Sequence, residues 1–349
     1  MMTYDPNAAA DSSNGIFGLP FTAEESSLVY LPVPWEATTS YGGGTANGPS
    51  AILDASGQID LFDWDVVDPW KAGMHCLPIS PEVESWNEKA TALAAPIKAA
   101  AGSTGSNAEL KKNLAEVNQL SDQVNQWVRN QTKLQYQAGK IVALIGGDHS
   151  TPFGIYQAAA EKFRDFGILH LDAHSDTRNA YMGFQHSHAS IMHNAITKIP
   201  GIQQLTQVGI RDFCDEEFQF IHANPKKIKT FFGPELADQK IHGIPFGKTA
   251  DAIIATLPKN VWISVDIDGL DRAFCPNTGT PVPGGLEYSE AIYLFTQLAR
   301  SGRKIIGFDL VEVAPAENDE WDANVGMRVL YKLSALTLAS QGLASFRTK

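Results

Sequence analysis

The chain has 349 residues, 44% of them hydrophobic, and its 27 Lys plus Arg stand against 39 Asp plus Glu for a formal net charge of −12. That length is ample for a buried core in one large domain, and the acidic balance excludes nucleic acid or an anionic membrane as the principal partner, since both are gripped by clustered Lys and Arg. Cys76, Cys214 and Cys275 are odd in number and fall at no motif spacing, so neither a disulfide framework nor a thiolate zinc site is indicated.

The first residues, MMTYDPNAAADSSNG, lack the basic stretch and apolar run of a signal peptide. No apolar run reaches the ~18 residues that span a bilayer. The expectation is a soluble, cytoplasmic protein. Residues 1–26, rich in Ala, Ser, Asn and Gly, read as a mobile arm ahead of a single domain over 27–349. SLVYLPVPW (27–35) reads as a buried strand, and 40–58 as a Gly-rich loop with a short helix starting near Pro49. Residues 88–106, Ala-rich and then Gly/Ser-rich, read as a low-complexity joint. Leu110, Leu114, Val117, Leu120, Val124, Trp127 and Leu134 recur at helical steps and predict a long amphipathic helix over 107–138, closed by Gly139.

Beyond that helix the chain alternates strand and helix. The runs KIVALIGG (140–147), FGILHLDA (166–173), LTQVGI (205–210), VWISVDI (261–267) and KIIGFDLVEV (304–313) are continuously apolar rather than alternating. Strands covered on both faces by crossover helices look like this, which predicts an α/β fold with a parallel sheet. Helices are expected at 155–163, 286–300 and 323–341.

Polar residues gather where these strands end, the edge at which open α/β sheets place their sites. The strand ends carry Asp148-His149-Ser150, Asp172-Ala173-His174-Ser175-Asp176, Asp266-Ile267-Asp268, and Asp309 with Glu312. Six of the nine histidines fall between 149 and 193. In an extended DAHSD, Asp172, His174 and Asp176 point to one side, as do Asp266 and Asp268 on another strand. Carboxylates converging there repel one another unless cations sit between them. Oxygen and imidazole ligands without thiolate suit Mn²⁺, Fe²⁺ or Ni²⁺ better than structural zinc. The donors suffice for two ions about 3.5–4 Å apart. Taken singly, DAHSD also reads as a helix-capping cluster, DID as a solvated strand end, and GGDHS as a tight turn with Asp148 or Ser150 capping the next helix. The capping reading of GGDHS leaves His149 without a role; the metal reading uses it, giving the set His149, Asp172, His174, Asp176, Asp266 and Asp268. No phosphate-binding loop, dinucleotide fingerprint or nucleophile elbow occurs.

These segments resemble a known family. LIGGDHS, LHLDAHSDTR, SHASIM, SVDIDGLD with TGTPVPGG, and DLVEVAP are similar, in order, to the signature segments of ureohydrolases, the arginase/agmatinase family, and SYGGGTANGPSAI resembles its substrate-side loop. The resemblance implies a three-layer α/β/α arginase-like fold with a mainly parallel eight-stranded sheet. It implies two divalent ions, usually Mn²⁺, that hydrolyse a guanidino group to urea and an amine through a metal-bridging hydroxide, in a homotrimer or homohexamer. One ion would take His149, Asp172, Asp176 and Asp266, the other His174, Asp172, Asp266 and Asp268. His188 matches the family histidine of proton transfer, and its ordinary pKa near 6.5 suits that task. Glu312 matches the carboxylate that orients the guanidinium, Thr280 a hydroxyl near that carboxylate, and Asp148 an outer partner of the ligands.

Arg178, Tyr181, Gly183 and Ser187 match the agmatinase pattern, and Asp212, Asp215 and Glu217 read either as partners for a distal ammonium or as helix N-terminal charges. Arg272, Cys275, Asn277 and the run 318–322 depart from that pattern, and 60–138 is longer than the family core needs. Hydrolysis of free guanidine or a guanidino acid, with Ni²⁺ as the metal, therefore stands as the alternative substrate reading. An inactive metal-binding paralogue is the reading from another class. Trp321 reads either as the cap of a small pocket or as an ordinary core tryptophan. His186 and His193 read as surface or packing residues, and His170 as a satisfied core histidine.

Overall fold

The structure, a computed structural model, describes residues 4–11 and 14–348. Its strands are β1 (Leu28–Val33), β2 (Val66–Val67), β3 (Met74–Cys76), β4 (Ile141–Gly146), β5 (Phe166–Leu171), β6 (Ile202–Ile210), β7 (Ile228–Phe232), β8 (Asn260–Asp266), β9 (Lys304–Val311) and β10 (Ser345–Phe346). Eight of them form one sheet in the order β3-β1-β4-β9-β8-β5-β6-β7, and every neighbouring pair is parallel. β2 and β10 make a small antiparallel ribbon apart from it.

The helices are α1 (Gly48–Ala55), α2 (Pro81–Ala99), α3 (Ala108–Gln137), α4 (Phe153–Phe163), α5 (Ile191–Lys198), α6 (Asp215–Ala223), α7 (Gly233–Ile241), α8 (Phe246–Ala255), α9 (Tyr288–Arg300) and α10 (Trp321–Ser340). Successive strand residues serve opposite faces of the sheet. Tyr30, Ala143, Ile263 and Phe308 pack toward α1, α8, α9 and α10. Leu31, Val142, Leu144, Trp262 and Ile306 pack toward α2, α3, α4 and α5. The result is the expected three-layer α/β/α arrangement. Among the described residues, no helix is long and apolar enough to cross a membrane.

Two expectations change. The joint expected at 88–106 is helical as far as Ala99, because its Ala, Leu, Lys and Glu are strong helix formers. Ser80 Oγ accepts from Val83 N at 3.4 Å and Pro81 fills the first turn, so α2 starts with good caps. Part of the expected arm is also fixed. Ile16, Phe17 and Leu19 are buried, with the Phe17 ring edge-on to Tyr30 and Tyr331. Averaging over a polar stretch hid these three apolar residues; residues 1–3, 12 and 13 of the arm lie outside the described residues.

On the α10 side, Lys332 is buried with its ammonium 2.8 Å from Asp63 Oδ2 and 2.9 Å from Asp65 Oδ2. Tyr331 Oη donates to Leu61 O at 2.6 Å, so α10 holds the strap 61–65 by both charge and hydrogen bond. Lys332→Met should destabilise the fold by about 3–5 kcal/mol, because it removes the buried ammonium from two buried carboxylates. A denaturation midpoint equal to that of the parent would count against this pairing.

Candidate metal centre

The centre lies at the C-terminal ends of β4, β5, β8 and β9, four adjacent strands. β4 ends in Gly146-Gly147, where a side chain on Gly147 would stand 2.0 Å from Trp35 O. Only glycine lets the chain turn this close to β1, and the turn delivers Asp148 and His149 to the sheet edge. Ser264 Oγ lies 3.0 Å from His149 Nε2 and donates to Asp309 Oδ1 at 2.7 Å. Asp309 also accepts from Trp262 Nε1 at 2.6 Å and from Tyr156 Oη at 3.0 Å. Asp309 therefore takes three donors, the serine hydroxyl among them, and burial raises its pKa to about 6. The serine oxygen is then an acceptor, and His149 must donate from Nε2.

That assignment leaves Nδ1 of His149 as a bare acceptor. It is buried and makes no hydrogen bond, yet Asp172 Oδ2 lies at 3.0 Å and the Oδ2 atoms of Asp176 and Asp266 at 3.2 Å. Four acceptors converging in a dry site call for a cation. The electrostatics show the same crowding of negative charge: against its burial, Asp172, Asp176 and Asp266 raise the His149 pKa well above the ordinary range, so a proton takes the place of the cation when none is bound. Burial, then Asp172, pushes Asp176 up to about 7, and burial with Asp268 and Asp172 raises Asp266 well above the carboxylate range. Asp172 is held low against its burial by His170, His149 and His174.

A second cluster shares Asp172. His174 Nδ1 lies 3.1 Å from Asp268 Oδ2 and 3.4 Å from Asp172 Oδ1. Asp172 thus turns one oxygen to each group. The convergence is not the simple alternation of an extended strand. β5 stops at Leu171, and Asp176 reaches the site through a left-handed backbone (φ 55°), with its carbonyl accepting from Met192 N and His193 N at the start of α5. β8 stops at Asp266, and a 3₁₀ turn over 267–269 brings Asp268 round, its N–H donating to Asp266 Oδ1 at 2.9 Å.

The other expected residues surround this pair of clusters. Glu312 also has a left-handed backbone (φ 62°), rare outside glycine and commonest at functional sites. Its Oε1 accepts from His149 N at 2.9 Å. Burial, with Asp148 nearby, raises its pKa well above the ordinary range. Asp148 accepts from Ser150 N at 2.9 Å and from Thr38 Oγ1 at 2.9 Å, and Thr38 Oγ1 in turn accepts from His188 N at 3.1 Å. Asp148 closes the turn at Ser150, but neither residue caps α4, whose N-cap is Pro152 without a side-chain hydrogen bond; the same carboxylate fixes His188 through Thr38. Burial, then His174, lowers the His188 pKa to about 3, so its ring is neutral rather than poised near 6.5. Thr280 Oγ1 lies 3.5 Å from Asp268 Oδ2, and Thr278 Oγ1 donates to the backbone carbonyl of Glu312 at 2.9 Å.

The Arginase family profile matches residues 26–335. The chain belongs to the arginase family. It is 29% identical to N(1)-aminopropylagmatine ureohydrolase of Synechocystis over 88% of both chains, and 31% identical to the protein of that name in Thermus thermophilus over 84% of both. Its fold is similar to that of proclavaminate amidino hydrolase from Streptomyces clavuligerus, with a TM-score of 0.71 and 23% identity over 96% of this chain and 100% of that one.

In this arginase-family chain a cleft of about 330 Å³ opens above the centre, walled by Ser40, Tyr41, His174, Arg178, Tyr181, His188, Asp212, Phe213 and Thr280 among others. A larger cleft of about 510 Å³ between α7, α8 and residues 283–286 contains none of the expected site residues. Of the acids with two readings, Glu217 is a helix N-terminal charge. Its carboxylate accepts from Cys214 N and Thr177 N, both at 3.0 Å, and lies 3.5 Å from Arg178 Nε. Asp212 remains at the cleft wall, 3.9 Å from His174 Nε2.

The two stretches that depart from the agmatinase pattern are partners. Asn277 donates from N and Nδ2 to Asp322 at 3.1 and 2.8 Å, and Trp321 Nε1 donates to Ala273 O at 2.8 Å. Trp321 is 44% exposed, so it neither caps the cleft nor fills the core; it ties α10 to the 272–277 loop. The long α2–α3 segment also has a place. Asn118 donates to Gly183 O and accepts from Gln185 N, while Leu114 packs where any side chain on Gly183 would go. α3 therefore braces the loop that carries Tyr181. His186 and His193 pack on Phe153 and Phe220.

Proposed function

We propose that this chain hydrolyses a guanidino compound of the agmatine type to urea and an amine at a centre of two divalent ions, with Mn²⁺ as the first metal to test and Ni²⁺ as the second. The observation that carries this reading is the bare Nδ1 of buried His149 among three carboxylate oxygens, with Asp172 turned also toward His174 and Asp268. His149, Asp172, Asp176 and Asp266 would hold one ion, and His174, Asp172, Asp266 and Asp268 the other. The ions, when bound, supply a water whose pKa falls from 15.7 toward about 7, as attack on a resonance-stabilised guanidinium requires.

The remaining work falls to the protein. Glu312, fixed by the His149 N–H, offers its other oxygen to the guanidinium and sets its orientation. Burial and a protonated His174 lower the His188 pKa in the metal-free protein; with His174 a neutral metal ligand, His188, 3.3 Å from Ser40 Oγ at the cleft wall, would be placed to relay a proton to the departing amine. Asp212, largely exposed at the cleft wall, suits a cationic tail. The relatives named ureohydrolases of N(1)-aminopropylagmatine support a substrate with such a tail. Assembly as a homotrimer or homohexamer is part of the same proposal, and light scattering on the purified protein tests it.

Urea release from agmatine, N(1)-aminopropylagmatine, arginine, 4-guanidinobutyrate and guanidine, each with Mn²⁺ or Ni²⁺, decides the substrate. Turnover is expected with the amine-tailed compounds. Turnover confined to guanidine or guanidinobutyrate would move the assignment to the alternative substrates, and urea from none of the five would leave the inactive paralogue.

A further inference from the structure

Beneath the centre lies a fully buried histidine to which the proposed chemistry gives no task. His170, on β5, has Nε2 2.8 Å from Asp172 Oδ2. On its other side Nδ1 lies 3.2 Å from Nε2 of Gln207, on β6. The Gln207 amide is oriented by two further bonds, since Nε2 donates to Ser175 O at 2.7 Å and Oε1 accepts from Thr230 Oγ1 at 3.0 Å. An amide nitrogen only donates, so His170 Nδ1 is the acceptor and the proton of the neutral ring sits on Nε2, aimed at Asp172.

This placement answers whether His170 is itself a ligand. It stands close enough to His149, Asp172 and Asp176 to be grouped with them around a cation. Yet its Nδ1 lone pair faces Gln207, and its Nε2 carries a proton. The ring has no donor atom to give a metal. What it holds instead is the oxygen of Asp172 that faces His149 Nδ1 at 3.0 Å. The other oxygen, Oδ1, is held by the His174 N–H at 2.5 Å and faces the His174 ring.

We propose that His170 is a positioning residue: with its tautomer set by Thr230 and Gln207, it fixes the carboxylate of Asp172 so that Oδ2 serves the His149 site while Oδ1 serves the His174 site. The inference rests on the two-ion reading above. Outer hydrogen bonds to metal ligands are commonly worth about 10–100-fold in metal affinity.

The test is calorimetric titration of metal-stripped protein with Mn²⁺, comparing the parent with His170→Leu, His170→Gln and Gln207→Met. His170→Leu should weaken one of the two binding events by about 10–100-fold. His170→Gln, which can place an amide N–H near the position of Nε2, should recover most of that loss. Gln207→Met should fall between, because the ring stays but its tautomer is released. Parent-like affinity in His170→Leu overturns the proposal, as does His170→Gln as impaired as the leucine variant. Should His170→Leu not fold, parent-like affinity in Gln207→Met overturns it equally. A parent protein that binds no divalent ion would instead remove the metal reading on which the inference stands.

Discussion

Asp268→Ala is expected to lose metal and urea release together. Asp268 Oδ2 is the carboxylate oxygen nearest His174 Nδ1, at 3.1 Å, and its Oδ1 is engaged by Ala173 N at 3.0 Å. Removing the side chain leaves the ion proposed at His174 with only the two shared carboxylates, Asp172 and Asp266, as anionic ligands. The expected loss of affinity for one ion exceeds the ~100-fold typical of outer-shell partners. Metal content by elemental analysis and urea release are to be measured on the same preparation. Full metal content in the variant would remove Asp268 from the ligand set, whatever the activity.

Glu312→Gln is the complementary case, in which metal stays and turnover goes. The amide oxygen can still accept from His149 N, so the β9 end and the ligand beneath it keep their geometry. Only the carboxylate charge that a bound guanidinium would draw out is lost. Misorientation at a reacting centre costs on the order of 100-fold, and a fall in kcat of at least about that size is expected with metal content unchanged. A variant with parent kcat would refute the guanidinium contact. A variant that lost its metal would mean that Glu312 acts on the centre itself.

The six proposed ligands stood out in the sequence because each follows a continuous apolar run, where a charged residue is out of place. The route by which they converge was less legible. Alternation along an extended strand was a sufficient guess, but Asp176 arrives through a left-handed residue and Asp268 through a 3₁₀ turn. Partners remote in sequence were not legible. Ser264, Asp309 and Tyr156 meet across separations of 45 to 153 residues, and nothing local marks them as the support of His149. His170 looked like a core residue and is one; its bond to Gln207 appears only when β5 and β6 are paired. In the fold, β7 carries little signal in the sequence because IKTFF is short, carries a lysine and lies at the sheet edge. α2 is ambiguous in the sequence because an alanine-rich stretch reads as low complexity and as helix alike.

The brace that α3 supplies to the loop of Tyr181 gives the cleft a second, remote genetic address. Leu114 and Asn118 touch Gly183 and Gln185 from the far side of the loop, outside the cleft. Changes at these two positions can shift the cleft wall while leaving its lining residues unaltered. Selection for a longer or shorter guanidino substrate can therefore act on a helix face that never meets the substrate, and a record of adaptation is to be sought there as well as among the residues of the wall.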